Sequence, residues 1–401
     1  MSERSPNDPP PTLSRPARIA FALLAPLLGI ALVAAIFEVG LRLTGHVAIY
    51  EMYSKPSQFW RYDELLGWSH DPGASGEFVG PRPWPIEFRG QVSINSLGLR
   101  GPEIPPREPS ELRVLFSGDS IVAALEVDYE QTFVALLESM LRERVGVPVR
   151  TINAGVRGYG TDQDYLYFRD RGWRLEPDLV VFFHSGNDPS DNTTLHEMRR
   201  PFGKPAFSLE DDGAVELVGS PVPHYPSCSE VSLSQGYEPE RVDTASGRAL
   251  CAAQMLMFDH SALFSYLTLA IPWNYIFLRN LYYIGNPHDE HLNSSARTDA
   301  VDFAGRLTTA IILQYADDVR RRGIEFVLAA HVGIAGLDRD AIDRADLPVL
   351  DLSEAASAAD LRWHHDGHFN PKGHQQVAEL LVGEIETRLR ARSAASSSAR
   401  P

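Results

Sequence analysis

Leu179-Val-Val-Phe-Phe183 is an uninterrupted apolar run, introduced by Pro177-Asp178 and followed by His184. A strand turns alternate side chains to opposite faces, so a run with no polar alternation must be covered on both sides. Further strand-like segments, each broken by at least one polar residue, stand at residues 112–116, 149–154, 324–329 and 347–352. Amphipathic segments separate several of them, and strands alternating with helices specify an α/β fold. The expected architecture is a doubly wound, flavodoxin-like parallel sheet of about five strands with flanking helices.

The intervening segments carry helix signals. Asp128 with Gln131 has the spacing of a capping box, opening a helix with Phe133, Leu136, Leu137, Met140 and Leu141 on one face. Thr161 to Asp164 can cap the next helix, and residues 301–321 form another. Asn370 as cap, with Pro371 at the first helical position, starts a last helix burying Val377, Leu380, Leu381 and Ile385.

The flanks divide the chain. Residues 1–18 are a polar, cytoplasmic tail, and the uncharged run Ile19 to Phe37, extended to Leu41, approaches the ~20 residues that cross a bilayer. An uncleaved membrane anchor over 19–41 is the preferred reading; a signal peptide cleaved near Val33 and Ala35 is the alternative. Residues 44–110 form an extension of short strands and turns, ending in a linker with Pro102, Pro105, Pro106 and Pro109. The main domain spans 111–392, with an insertion at 189–300, and 393–401 is a Ser/Ala tail without core-forming content. Within the insertion, 207–218 reads as a hairpin turned at Asp212-Gly213, and the apolar stretch 254–283 suits an interfacial or core helix.

With 37 basic against 53 acidic residues, the net charge of −16 disfavours nucleic acid as a partner. Cys228 and Cys251 are too few for a disulfide framework and lack zinc-site spacing; whether they pair is left open.

Four short motifs carry chemistry. Gly118-Asp119-Ser120 follows the first strand, at the edge where open α/β sheets bind ligands. The glycines of Asn153-Ala-Gly155-Val-Arg-Gly158-Tyr-Gly160 let a backbone N–H approach a reacting oxygen. Gly186-Asn187-Asp188 places an amide donor after the 179–183 run. Asp366-Gly367-His368 stands before the last helix, where a histidine held by a carboxylate can activate a serine. Each alone also reads as an ordinary turn. A metal cluster of His364, His365 and His374 with Asp366 competes, but it leaves Ser120 and Asn187 without a role.

In this order the four motifs resemble the blocks of the SGNH/GDSL hydrolase superfamily, from about Leu112 to the end of the last helix and excluding the insertion. The resemblance implies a serine esterase with Ser120 as nucleophile, His368 as base, and an oxyanion hole of the Ser120 N–H, Gly158 and Asn187. Gly158 is chosen because it stands five residues after Asn153. Many members carry the acid three residues before the histidine, a position occupied here by His365. Asp366 is the implied acid, with a water-supported dyad as fallback. No metal or organic cofactor is required. The segments Phe37-Glu-Val-Gly-Leu-Arg42 and Asn95-Ser-Leu-Gly-Leu-Arg100 look like a bacterial membrane-tethered branch, which implies an inner-membrane protein with a periplasmic or extracellular catalytic domain. The implied substrate is an acylated small molecule, glycan or lipid. Two alternatives remain: an O-acyltransferase acting on an envelope glycan with the same residues, and a non-catalytic envelope scaffold.

Overall fold

The computed structural model describes residues 14–46, 59–80, 86–194, 203–222, 245–267 and 294–398. Cys228 and much of the apolar stretch 254–283 lie outside them, as does the side chain of Cys251. The first described element is a helix, Arg15–Leu43, long and apolar enough to cross a membrane.

Four strands follow in two antiparallel pairs: β1 (Trp60–Asp63) with β2 (Gly67–His70), and β3 (Ser75–Gly80) with β4 (Phe88–Ser93). The central sheet comprises β5 (Leu112–Gly118), β6 (Val149–Asn153), β7 (Leu179–His184), β10 (Glu325–Ala330) and β11 (Val349–Asp351). All pairings in it are parallel, in the order β6-β5-β7-β10-β11. That is the doubly wound, flavodoxin-like order anticipated from the alternating runs, with its switch point between β5 and β7. The separate hairpin of β8 (Ala206–Leu209) and β9 (Val215–Val218) turns at Asp212-Gly213, as expected.

Each central strand feeds two cores by strict alternation. Leu115, Val180, Phe182 and Leu328 meet the helices Thr161–Asp170 and Ser294–Arg321 on one face. Phe116, Val181, Phe183 and Val327 meet Phe133–Val145 and Pro371–Ser398 on the other. The capping box at Asp128 and Gln131 is present, but it opens a short 3₁₀ turn, Tyr129–Gln131. The helix itself starts at Phe133 and is capped by Thr132, whose hydroxyl accepts from the Ala135 N–H at 3.2 Å. Asp128 is also committed to the extension, accepting from the Gln91 N–H at 2.8 Å, and the chain must turn before the helix can begin.

The extension is packed into the main domain. The Tyr159 hydroxyl donates to the Trp68 carbonyl at 2.6 Å, Gln163 to that of Leu66 at 2.6 Å, and Arg100 to that of Val127 at 2.6 Å. Before β8, buried Lys204 pairs with buried Asp162 in the helix Thr161–Asp170. Burial raises the Asp162 carboxyl, and the ammonium of Lys204 works against that shift. Truncating one partner leaves a buried group uncompensated, so Lys204→Ala should cost about 3–5 kcal/mol in chemical denaturation, whereas an apolar pair, Lys204→Met with Asp162→Leu, should recover most of it.

Candidate active site

β5 and β7 flank the switch point, and the residues that follow them form the site. Gly118 closes β5; a Cβ there would lie 2.7 Å from the Val122 side chain and 2.9 Å from the Phe183 carbonyl oxygen, so the sharp exit requires glycine. Asp119 then caps the single turn Ser120–Ala123, its Oδ1 accepting from the Ile121 N–H at 3.0 Å and from the Ser185 hydroxyl at 2.8 Å. The second bond ties the serine turn to the end of β7.

The glycines after β6 divide their work. Gly155 packs under the serine turn, where a Cβ would lie 2.4 Å from the Ala123 nitrogen. Asn153 holds that contact by donating to the Val122 carbonyl at 2.7 Å and accepting from the Gly155 N–H at 3.0 Å. Gly158 has φ +83° and its N–H has no hydrogen-bond partner among the described residues. Asn187 is exposed at the end of β7, and its side-chain amide donates to Asp191 at 2.6 Å. No hydrogen bond joins Asn187 or Gly158 to Ser120 among the described residues.

His368 arrives from the far end of the chain. Trp363 and His368 brace a tight turn: the Trp363 N–H donates to the His368 carbonyl at 2.9 Å, and the Gly367 N–H to the Trp363 carbonyl at 3.0 Å. Gly367 has φ +83°, which lets the chain reverse between Asp366 and His368. Glu87 of the extension secures the same turn by accepting from the N–H groups of His364 and His365 at 3.1 and 2.9 Å. Asn370 caps the following helix as expected, accepting from the Gly373 N–H at 3.0 Å.

His368 Nε2 stands 2.8 Å from Ser120 Oγ, and on the other side of the ring Nδ1 meets Asp366 Oδ1 in a short contact. A histidine so placed can take the serine proton while its opposite nitrogen is held by a carboxylate. Sequence reasoning missed two further charges. Glu126 Oε1 is 3.7 Å from His368 Nδ1, and Arg157 pairs with Glu126 and lies 3.9 Å from Asp366. Glu126, six positions beyond Ser120, lies outside every motif; Arg157 lies within the glycine motif, four positions beyond Asn153, where only the glycines drew a role.

Three ligand atoms lie within 4.8 Å of one another in Glu126, Asp366 and His368, and likewise in Glu87, His364 and His365. In the first group Arg157 already faces both carboxylates. His374 joins neither: it is buried, its ring stacks on Phe133 with centroids 5.8 Å apart, and Nδ1 accepts from the Phe133 N–H at 3.3 Å. The histidine cluster considered from sequence is therefore split. Asp360, the other nearby carboxylate, pairs with Lys372 at the surface.

Burial opposes a charge on His368, but Glu126 and then Asp366 outweigh burial and the opposing Arg157, so its pKa lies above the ordinary value of 6.5. Folding thus strengthens proton binding here. The stabilisation is complete below the unfolded pKa and is lost as pH rises through the folded one. Titration of the ring by NMR should give a midpoint above 6.5, moving down on Asp366→Asn.

Residues 116–218 match the sequence profile of the GDSL-like Lipase/Acylhydrolase family. Among solved structures, the chain is similar to a lipase/acylhydrolase from Enterococcus faecalis at 13% identity, covering 69% of this chain and 96% of that one with a TM-score of 0.35. It is likewise similar to the esterase EstA from Pseudoalteromonas sp., at 10% identity over 69% of this chain and 98% of that one, TM-score 0.35. A third is a putative acylhydrolase from Bacteroides fragilis, at 14% identity over 72% and 93%, TM-score 0.34. No curated protein matches the sequence.

Proposed function

We propose that this chain, residues 116–218 of which match the GDSL-like Lipase/Acylhydrolase family, is a serine hydrolase acting on esters through Ser120, His368 and Asp366. The observation that carries the reading is the 2.8 Å approach of His368 Nε2 to Ser120 Oγ at the switch point of the sheet. His368 takes the hydroxyl proton as Oγ bonds to the ester carbonyl carbon. The tetrahedral oxyanion is held by the N–H groups of Ser120 and Gly158 and the amide of Asn187. As the intermediate collapses, the alcohol leaves with the proton from His368. Water, deprotonated by the same ring, then releases the acid and restores the serine.

The substrate is an acylated small molecule, glycan or lipid met at a membrane surface. That reading rests on the apolar helix Arg15–Leu43, taken as a single-pass anchor with the catalytic part on the periplasmic or extracellular side. Carbonate extraction of the full chain should leave it in the membrane with its N-terminus intact; a soluble product beginning near Ile36 would identify a signal peptide instead.

Ser120→Ala should abolish both hydrolysis of short-chain aryl esters and labelling by a fluorophosphonate, with the thermal transition unchanged. Retention of most activity would remove Ser120 from the reaction. Asn187→Ala should lower kcat by roughly 10²- to 10³-fold if the amide meets the oxyanion. A rise in KM with kcat unchanged would make it a ground-state contact.

A further inference from the structure

Behind His368 lies more charge than a triad uses. Glu126 is buried, its side chain 1% exposed, and stands in the turn following Ser120. Its Oε1 faces both His368 Nδ1 and Arg157, and its Oε2 has no hydrogen-bond partner among the described residues. A buried carboxylate costs several kcal/mol unless compensated, so its place beside the ring calls for a compensating role.

The charge count supplies one. Asp366 and Arg157 together are neutral, so with these two alone a protonated His368 would leave the buried cluster at +1, with a guanidinium opposing the new charge. With Glu126 included, Asp366, Glu126, Arg157 and His368 together are at −1 when the ring is neutral and neutral when the imidazolium forms; the buried Arg100 guanidinium beside Glu126 raises either total by one and increases the need for the second carboxylate. On the reaction path the imidazolium forms as Ser120 gives up its proton, so the compensation acts in the high-energy state; the same carboxylate also favours the protonated ring of the resting enzyme at low pH.

We propose that Glu126 is a positioning residue that offsets Arg157 and, alongside Asp366, stabilises the imidazolium of His368. The proposal rests on the Ser120–His368 reading. The other groups facing this cluster are the Ser120 hydroxyl, Arg100 and His374. Arg100 is buried beside Glu126, and burial together with Arg100 and His368 pushes His374 down to about 3, so that ring is neutral across the working range.

The test is the pH profile of kcat/KM on the intact protein with a short-chain aryl ester, together with NMR titration of the His368 ring. Glu126→Gln should move the acidic limb and the ring midpoint down by roughly one pH unit and lower kcat about tenfold, with KM little changed. Arg157→Gln should move both upward. The double variant should return them towards the parent, a reversal that loss of packing cannot produce. Glu126→Asp, which keeps the charge, should stay near the parent and covers the case in which the glutamine variant does not fold. An unchanged ring midpoint in Glu126→Gln, or shifts of the same sign in Glu126→Gln and Arg157→Gln, would overturn the proposal. Loss of activity in Ser120→Ala and Asp366→Asn alongside that result would leave the triad standing. Full activity in Ser120→Ala would instead overturn the triad, while the ring titration would still decide the role of Glu126.

Discussion

The contact between Ser120 and His368 joins residues 248 positions apart, and most of the architecture serves to make it. Neither side chain can be placed by its own neighbours. Ser120 depends on glycine at 118 for the exit from β5, on glycine at 155 for the room beneath its turn, and on Asp119 to bind that turn to Ser185. His368 depends on the braced turn 363–368 and on the helix beginning at Pro371, whose Val377 and Leu381 pack with Phe116 and Phe183. The two turns meet because the strand and the helix that carry them share one hydrophobic core.

That placement concentrates buried polar groups at the carboxyl ends of β5 and β7. Asp188 accepts from the Thr161 hydroxyl at 3.2 Å and lies 2.9 Å from His184 Nδ1, while burial and the neighbouring Asp188 and Asp119 push Asp164 well above the usual carboxylate range. Burial pushes His331 down to about 4, with Asp119 pulling against it. Such groups destabilise unless they are bonded: Asp119 and Asp188 bond to the turns of the site, whereas Asp164 Oδ1 and His331 Nδ1 have no hydrogen-bond partner among the described residues. The polar network therefore spends stability to fix turn geometry, which a purely apolar strand edge would leave free.

The sheet was legible because runs such as Leu179 to Phe183 have few other ways to be buried, and the four strand-end motifs were legible because each is local. Boundaries set by tertiary partners were not. Asp128 and Gln131 have the spacing of a helix start, yet Gln91 claims the aspartate and the helix begins only after Thr132. The extension read as a separate preface to the catalytic part, whereas Glu87 holds the histidine turn and Arg100 holds the Val127 carbonyl. Glu126 carried no signal, and Arg157, inside the glycine motif, was passed over for the glycines around it, since a charged residue in a turn most often faces solvent. Their significance exists only once residues 126, 157 and 366 converge.

One further convergence links the apolar N-terminal helix to the insertion. Glu38, near the end of that helix, accepts from the Ser261 hydroxyl at 2.9 Å and from the N–H groups of Ala262 and Leu263 at 2.9 and 2.8 Å, while Arg42 donates to the His260 carbonyl at 2.9 Å. A carboxylate at the free N–H groups of a helix start is a favourable arrangement of charge against dipole. Arg42, 2.7 Å from Glu38, completes a polar clasp between one helix end and the next helix start. A charged residue closing an apolar helix has its least costly position at the membrane boundary, where water can reach it. The clasp thus ties the carboxyl end of the apolar helix to residues 260–263, the start of a short helix within the insertion.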